Sequence, residues 1–242
     1  MDADFDPEFF AHGRLLWRFD GSDAVRFSPR LAWGMIADAA ECSGGTGRLW
    51  DPFAGAGLVP ALARLFFPSE FASIAASDAS PEAVETTAKN LALVSDTEAA
   101  KKRLAQVTGL RGQNPKSDRR WGEVAAYLSS LMPRIEAVSN KALPMRVDCA
   151  LAHEHVQLLT APESTADASD LFVVGDAPYG KGSQLVGPPL EAVVQGWIDE
   201  PSIAYVDVAC TQDQARSLPR EPRASLRPAR AGRARWTFVR RG

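Results

Sequence analysis

The sequence predicts an α/β fold: a seven-stranded, mostly parallel sheet with helices on both faces, a C-terminal antiparallel hairpin and a helical insertion. Three observations carry that prediction. Short apolar runs alternate with helix-length stretches, the beat of βαβ units. Asp170-Leu171-Phe172-Val173-Val174-Gly175-Asp176 is almost continuously apolar, as a central parallel strand covered on both faces requires. Asp51-Pro52-Phe53-Ala54-Gly55-Ala56-Gly57 places an acid and two glycines at a strand-to-helix turn, where a doubly wound sheet makes room for a nucleoside ligand.

Residues 1–28 show no clear period and predict an N-terminal extension with a short hairpin or helix. Pro29 to Glu41 reads as a helix, with Ser28 as its cap, Pro29 in its first turn and Leu31, Met35, Ile36 and Ala39 as its apolar stripe. Ser43-Gly44-Gly45-Thr46-Gly47 ends it. Arg48-Leu49-Trp50 is strand one, followed by the Asp51 turn and a helix to about Phe67. Phe71 to Asp78 is strand two, closed by an acid. Ser80-Pro81-Glu82-Ala83 starts a helix that Val84, Ala88, Leu91 and Leu93 continue. From about Asp96 to Pro144 the chain is charged, mostly helical and broken between Gly109 and Pro115. A segment of about 45 residues is small for an independent core, so this reads as an insertion. Met145 to Leu151 is strand three, the run ending at Asp176 strand four, and Ser202 to Ala209 strand five. Ala224 to Arg241 fits two strands joined through Ala231-Gly232. The predicted organisation is an extension, 1–28, and one domain, 29–242, with its insertion at about 96–145.

Composition narrows the function. No stretch approaches the roughly 20 apolar residues of a membrane span. The acidic opening Met1-Asp2-Ala3-Asp4-Phe5-Asp6 lacks the apolar core of a signal peptide. Cys42, Cys149 and Cys210 are odd in number and far apart, which predicts neither a disulfide framework nor a zinc site; a reducing cytoplasm fits. From Gln214 onward nine arginines face one acid, Glu221. That segment carries +8 in a chain of net charge −3, so the rest carries −11. Such a segment reads either as a polyanion-facing surface or as a solvated, Arg-rich edge hairpin.

The motifs sharpen the chemistry. Gly55 and Gly57 carry no Cβ and let the backbone approach a ligand, with Phe53 in the same turn. The turn resembles motif I of the S-adenosylmethionine (SAM) methyltransferases. In a doubly wound site an acid at the end of strand two, here Asp78 before Ala79, accepts hydrogen bonds from ribose hydroxyls. Asp176-Ala177-Pro178-Tyr179-Gly180 resembles the Asn/Asp-Pro-Pro-Tyr motif IV of methyltransferases acting on nitrogen in a planar group. The lone pair of such a nitrogen is delocalised. A carboxylate, with a backbone carbonyl held by proline, accepts its N–H bonds and frees the lone pair. Tyr179 offers an aromatic face for a flipped-out base, worth about 1–3 kcal/mol.

Competing readings are weaker. Gly175 to Gly182 approaches the phosphate-binding P-loop, but Gly182 replaces its magnesium-binding Ser/Thr and Pro178 removes an amide donor. A dinucleotide site requires a third glycine, and Leu58, Val59 and Pro60 follow Gly57. After strand three, Glu154 is a candidate acceptor for an adenine amino group. The neighbouring His153 and His155 read as surface histidines flanking a ligand pocket rather than a metal site, since His12 is the only other histidine. Arg30 and the amides opening the first helix are candidates for a methionine carboxylate. Lys116, Arg119, Arg120 and Lys181 are candidates for phosphate.

The order of these blocks is similar to the avilamycin-resistance ribosomal RNA methyltransferases, the AviRa type. The resemblance rests on Arg26-Phe27-Ser28-Pro29-Arg30-Leu31-Ala32, Trp50-Asp51-Pro52 with its glycine turn, and Ala76-Ser77-Asp78 with Ala88-Lys89-Asn90-Leu91-Ala92-Leu93. It continues through the insertion, Cys149-Ala150-Leu151, and Val173 to Gly180, covering about residues 24–241. It implies a Rossmann-like class I SAM-dependent methyltransferase that modifies a guanine base of 23S ribosomal RNA. The candidate cofactor-site residues are Asp51, Phe53, Gly55, Gly57, Asp78, Ala79, Glu154, His155 and Arg30, and the candidate catalytic residues are Asp176, Pro178 and Tyr179. Three departures stand out. Phe53-Ala54 replaces two cysteines, Ala177 replaces leucine, and His155 falls where the family has the strand-three acid. The expected partner is ribosomal RNA or a ribosomal subunit, met by a cytoplasmic monomer without metal. The alternatives are a DNA adenine or protein glutamine N-methyltransferase and, from another class, a non-catalytic SAM-binding partner protein. The intact Asp176, Pro178 and Tyr179 argue against the last.

Overall fold

The computed structural model describes residues 2–11, 14–18, 27–111, 115–154, 159, 170–178, 185–229 and 233–240. Seven strands form one sheet: β1 (Arg48–Asp51), β2 (Ser73–Asp78), β3 (Met145–Cys149), β4 (Leu171–Asp176), β5 (Ile203–Thr211), β6 (Ala224–Pro228) and β7 (Arg233–Val239). Their order is β3-β2-β1-β4-β5-β7-β6. The first five are parallel, and β7 runs antiparallel to both neighbours, β5 and β6. The chain leaves β1 for β2 on one side and returns with β4 on the other. The carboxyl ends of β1 and β4 therefore flank the switch point where such sheets bind ligands.

Eight helices are described: α1 (Pro7–Phe10), α2 (Pro29–Ser43), α3 (Leu58–Phe66), α4 (Pro81–Ser95), α5 (Thr97–Gly109), α6 (Pro115–Ser139), α7 (Leu190–Asp199) and α8 (Gln212–Ser217). Local chemistry sets their ends. Ser28 and Ser80 cap α2 and α4, each followed by proline in the first turn, and Gly44 ends α2 in the left-handed region at φ 58°. Thr211 and Gln214 form a capping box on α8.

Both faces of the sheet are covered. On one, Met35 and Ile36 of α2, Leu62 and Leu65 of α3, and Leu128 of α6 cluster with Phe172, Val174 and Tyr205. On the other, Val194 and Trp197 of α7 cluster with Trp50, Val173 and Val206. Alternate residues of β4 serve opposite cores, which is why that strand is apolar throughout.

The structure refines several sequence expectations. Strand two starts at Ser73, and Phe71 packs into the core just ahead of it. Strand three ends at Cys149 and strand five reaches Thr211. The insertion is two helices, α5 and α6, and Ala100, Leu131 and Ile135 join the main core. The extension forms α1. Phe5 stacks on Trp33 at 4.2 Å, while Arg134 pairs with Asp2 and Asp4. The Ala231-Gly232 junction lies outside the described residues.

The terminal arginines divide. Arg233, Arg235 and Arg240 turn inward: Arg235 pairs with Asp207 and Asp38, and Arg240 donates to the carbonyls of Ile198, Glu200 and Ile203. Arg216, Arg220, Arg223 and Arg227 are exposed, and Arg230 and Arg241 lie outside the described residues. The reading of this segment as one basic surface therefore does not hold for the three inward residues; they hold the sheet together. Among the described residues, no helix is long and apolar enough to cross a membrane.

Candidate active site

Three carboxylates end three strands of the sheet. Asp51 ends β1, Asp78 ends β2 and Asp176 ends β4. Asp51 is buried, and its carboxyl accepts the Phe53 N–H at 3.1 Å. Burial raises its pKa well above the usual carboxylate range. The Phe53 bond opposes this, and the charges of Asp78 and Asp176 add to it. Asp78 shapes the loop: its Oδ2 accepts Gly55 N–H and its Oδ1 accepts Ser80 N–H, both at 2.9 Å.

The two glycines of the turn do different work. Gly55 lies at φ 53°, and a Cβ there would meet only the Phe53 carbonyl oxygen, at 3.9 Å. That open side is where a ligand can approach the backbone. Gly57, the αL cap of α3 at φ 76°, faces α4 instead; a Cβ there would lie 2.9 Å from Thr87 Cγ2. Gly55→Ala should therefore weaken SAM binding at least 10-fold while costing about 1–2 kcal/mol of stability for the left-handed backbone. Gly57→Ala should add an overpacking cost of about 1–3 kcal/mol to the same backbone term. Calorimetric SAM titration and thermal melting of both variants check the contrast.

Sequence reasoning missed the supports of this loop. Thr87 donates to the Gly55 carbonyl at 3.0 Å. Asn90, fully buried, donates to the Ala56 carbonyl at 2.7 Å and to the Trp17 carbonyl at 2.9 Å, and accepts the Trp17 N–H at 2.8 Å. Arg103 of α5 lies over the Trp17 ring, 4.6 Å from its centre. The extension and the insertion are thus tied to the glycine turn through one asparagine. The sequence signals were a polar residue interrupting the apolar stripe of α4 and its place in the block Ala88 to Leu93 that carries the family resemblance.

The acceptor side is built around β4. Asp176 pairs with Arg233. Burial raises its carboxyl to about 7 even though Arg233 pulls it down. Pro178 is half-buried, and its carbonyl accepts Gln214 Nε2–H at 3.0 Å. Ala177 is buried and continues the ladder through its N–H to Ala209 O, at 2.8 Å. Tyr179, His155, Lys181 and His12 lie outside the described residues, as does the Lys116 side chain.

The remaining candidates are more peripheral. Phe53 is half-buried, 5.9 Å from Trp197 ring to ring. Ala79 is exposed, and its carbonyl accepts from Cys149 Sγ at 3.8 Å. Glu154 is exposed beyond β3, 3.9 Å from His153 Nε2. Arg30 is exposed in the first turn of α2. Arg119 pairs with Glu123 and Arg120 lies over the Trp121 ring. Among the described residues no group of three or more His, Cys, Asp or Glu is arranged to hold a metal ion.

A crevice at the switch point, an open glycine and buried carboxylates fit a nucleoside ligand that carries positive charge, which SAM does at its sulfonium and amine. The strand order with its reversed seventh strand, together with this crevice, defines a Rossmann-like class I SAM-dependent methyltransferase. The family model for the rRNA methyltransferase AviRa matches residues 3–200. The chain belongs to that family of rRNA methyltransferases. It is similar to two solved structures of the rRNA methyltransferase AviRa from Streptomyces viridochromogenes, at 25% and 26% identity and TM-scores of 0.71 and 0.72. Each match covers 98% of this chain and 93% of the other. A comparison with curated proteins gives no match.

Proposed function

We propose that this rRNA methyltransferase modifies a nitrogen of a guanine base in 23S ribosomal RNA, as a cytoplasmic monomer, with 29–242 as its catalytic domain. The observation that carries the reading is the position of Asp176: a buried carboxylate ending β4, across the switch point from the glycine turn and followed by Pro178. The AviRa resemblance supports the guanine and the 23S target, and it supports antibiotic resistance by target modification as the biological role.

SAM supplies a methyl group already activated on sulfur. The chain's residues bind and orient. Gly55 brings the backbone to the cofactor, beside Gly57 and Phe53. Asp51 faces its amine, and Asp78, next to Ala79, accepts from the ribose hydroxyls through lone pairs not used by Gly55 and Ser80. Arg30 serves the carboxylate, and Glu154 with His155 lies toward the adenine. On the other side Asp176 accepts an N–H of the target base, Pro178 fixes the turn, and Tyr179 stacks on the base. Holding these groups in place supplies most of the rate.

The test is tritiated SAM offered in parallel to 23S rRNA, 16S rRNA, large ribosomal subunits, duplex DNA and a bacterial protein extract. Label in 23S rRNA or the large subunit is expected. Label in DNA or protein would favour the alternative N-methyltransferases, and SAM binding without label anywhere a non-catalytic partner.

A further inference from the structure

Asp176 is held from two strands away. Because β7 runs antiparallel, its first residue, Arg233, lies opposite Thr211 at the carboxyl end of the sheet. Ala209 of β5, paired with Asp176, is small, so the Arg233 side chain reaches across it. The guanidinium is anchored on its far side by Nε donating to the Cys210 carbonyl, at 3.1 Å. Gln212 of α8 donates to the Arg233 carbonyl, and Gln214 of the same helix to that of Pro178, both at 3.0 Å. Arg233 and Asp176 side chains are only 10% and 11% exposed. One short helix thus fixes both the cation and the turn that follows the anion.

We propose that Arg233 is a positioning residue of the acceptor site: it binds Asp176 Oδ1, orients the carboxylate, and leaves Oδ2 for the N–H of the target base. This rests on the proposed role of Asp176. The charged and titratable groups that act on or respond to Asp176 are Arg233 of β7, Asp51 of β1 and Cys210 of β5, whose thiol burial pushes up to about 12. Burial disfavours the Asp176 anion, and Arg233 favours it. Removing Arg233 therefore moves the Asp176 pKa upward from about 7.

The experiment follows the carboxyl carbon of Asp176 by NMR in protein labelled with [γ-13C]Asp and saturated with SAM, its signal identified by its loss in Asp176→Asn. Single-turnover methyl transfer to 23S rRNA is measured across the same pH range. In Arg233→Gln the Asp176 midpoint should rise by at least one pH unit. Transfer near neutral pH should fall about 10-fold or more and recover as pH rises, with SAM affinity within about threefold. Arg233→Lys keeps the charge and should keep the midpoint within one unit, so the inference stays testable if Gln fails to fold: a Lys variant whose midpoint rises like that of a neutral residue overturns it. An unchanged midpoint in Arg233→Gln also overturns it. A midpoint that moves while the rate profile stays in place leaves Arg233 as the partner of Asp176 but overturns the acceptor role of Asp176, and with it this inference.

Discussion

Asp176→Ala should lower methyl transfer about 10²- to 10⁴-fold, the range for a positioned proton-accepting group, while SAM affinity stays within a few-fold. The acid ends β4, and the glycine turn with its supports Thr87 and Asn90 belongs to the other side of the crevice. Asp176→Asn keeps an acceptor oxygen and the side-chain shape. It should retain part of the rate, with a profile flat in pH. In the wild type the rate should rise with pH through about 7, because the carboxyl must be ionised to accept the N–H. Stability runs the other way. The folded pKa is raised, so this group's contribution is complete below its unfolded value near 4 and is lost as pH climbs through 7. Single-turnover rates and calorimetric SAM titration separate the two effects. Loss of SAM binding in Asp176→Ala would place this residue in the cofactor site instead.

Arg235→Met should be the most destabilising single change of those considered, about 3–5 kcal/mol, because it strands a buried carboxylate. Asp207 is fully buried on β5. It accepts from Arg235 of β7, from Tyr205 OH at 2.9 Å and from Thr237 Oγ1 at 3.3 Å, while Arg235 also reaches Asp38 of α2 at 2.7 Å. Burial raises the Asp207 pKa, and Arg235 opposes that rise. Without Arg235 the carboxyl goes further up, so the variant loses least stability at low pH and progressively more as pH rises through the new folded value. Thermal melts at pH 5 and pH 8 check this. Replacing Asp207 and Arg235 together with apolar residues should restore much of the loss, since both desolvation costs vanish at once. A single variant within 1 kcal/mol of wild type would mean the pair does not brace the sheet.

Much of this architecture is written in local chemistry. The apolar run of β4 records that two cores press on it, and acids at strand ends marked the carboxyl edge. Ser-Pro caps placed α2 and α4 within two residues. Two elements between strand four and strand six escaped. The helix α7 carries Leu190, Val193, Val194 and Trp197 at helical spacing and was readable; α8 has six residues, too few for a period. The deeper misses are non-local. Arg233, Arg235 and Arg240 look like solvated charge because arginine usually is. Only the antiparallel placement of β7 beside β5 shows that they face buried carboxylates and carbonyls. Gly57 illustrates the same limit: spacing identified it, but its αL cap and its packing against Thr87 are visible only in the fold.

The most direct measurement is mass spectrometry of nucleosides from 23S rRNA treated with the protein and SAM. The account predicts a guanosine gaining one methyl on a base nitrogen, with none in the Asp176→Ala reaction. A methyl on a ribose hydroxyl or a base carbon, or the same guanosine product undiminished in Asp176→Ala, would contradict it.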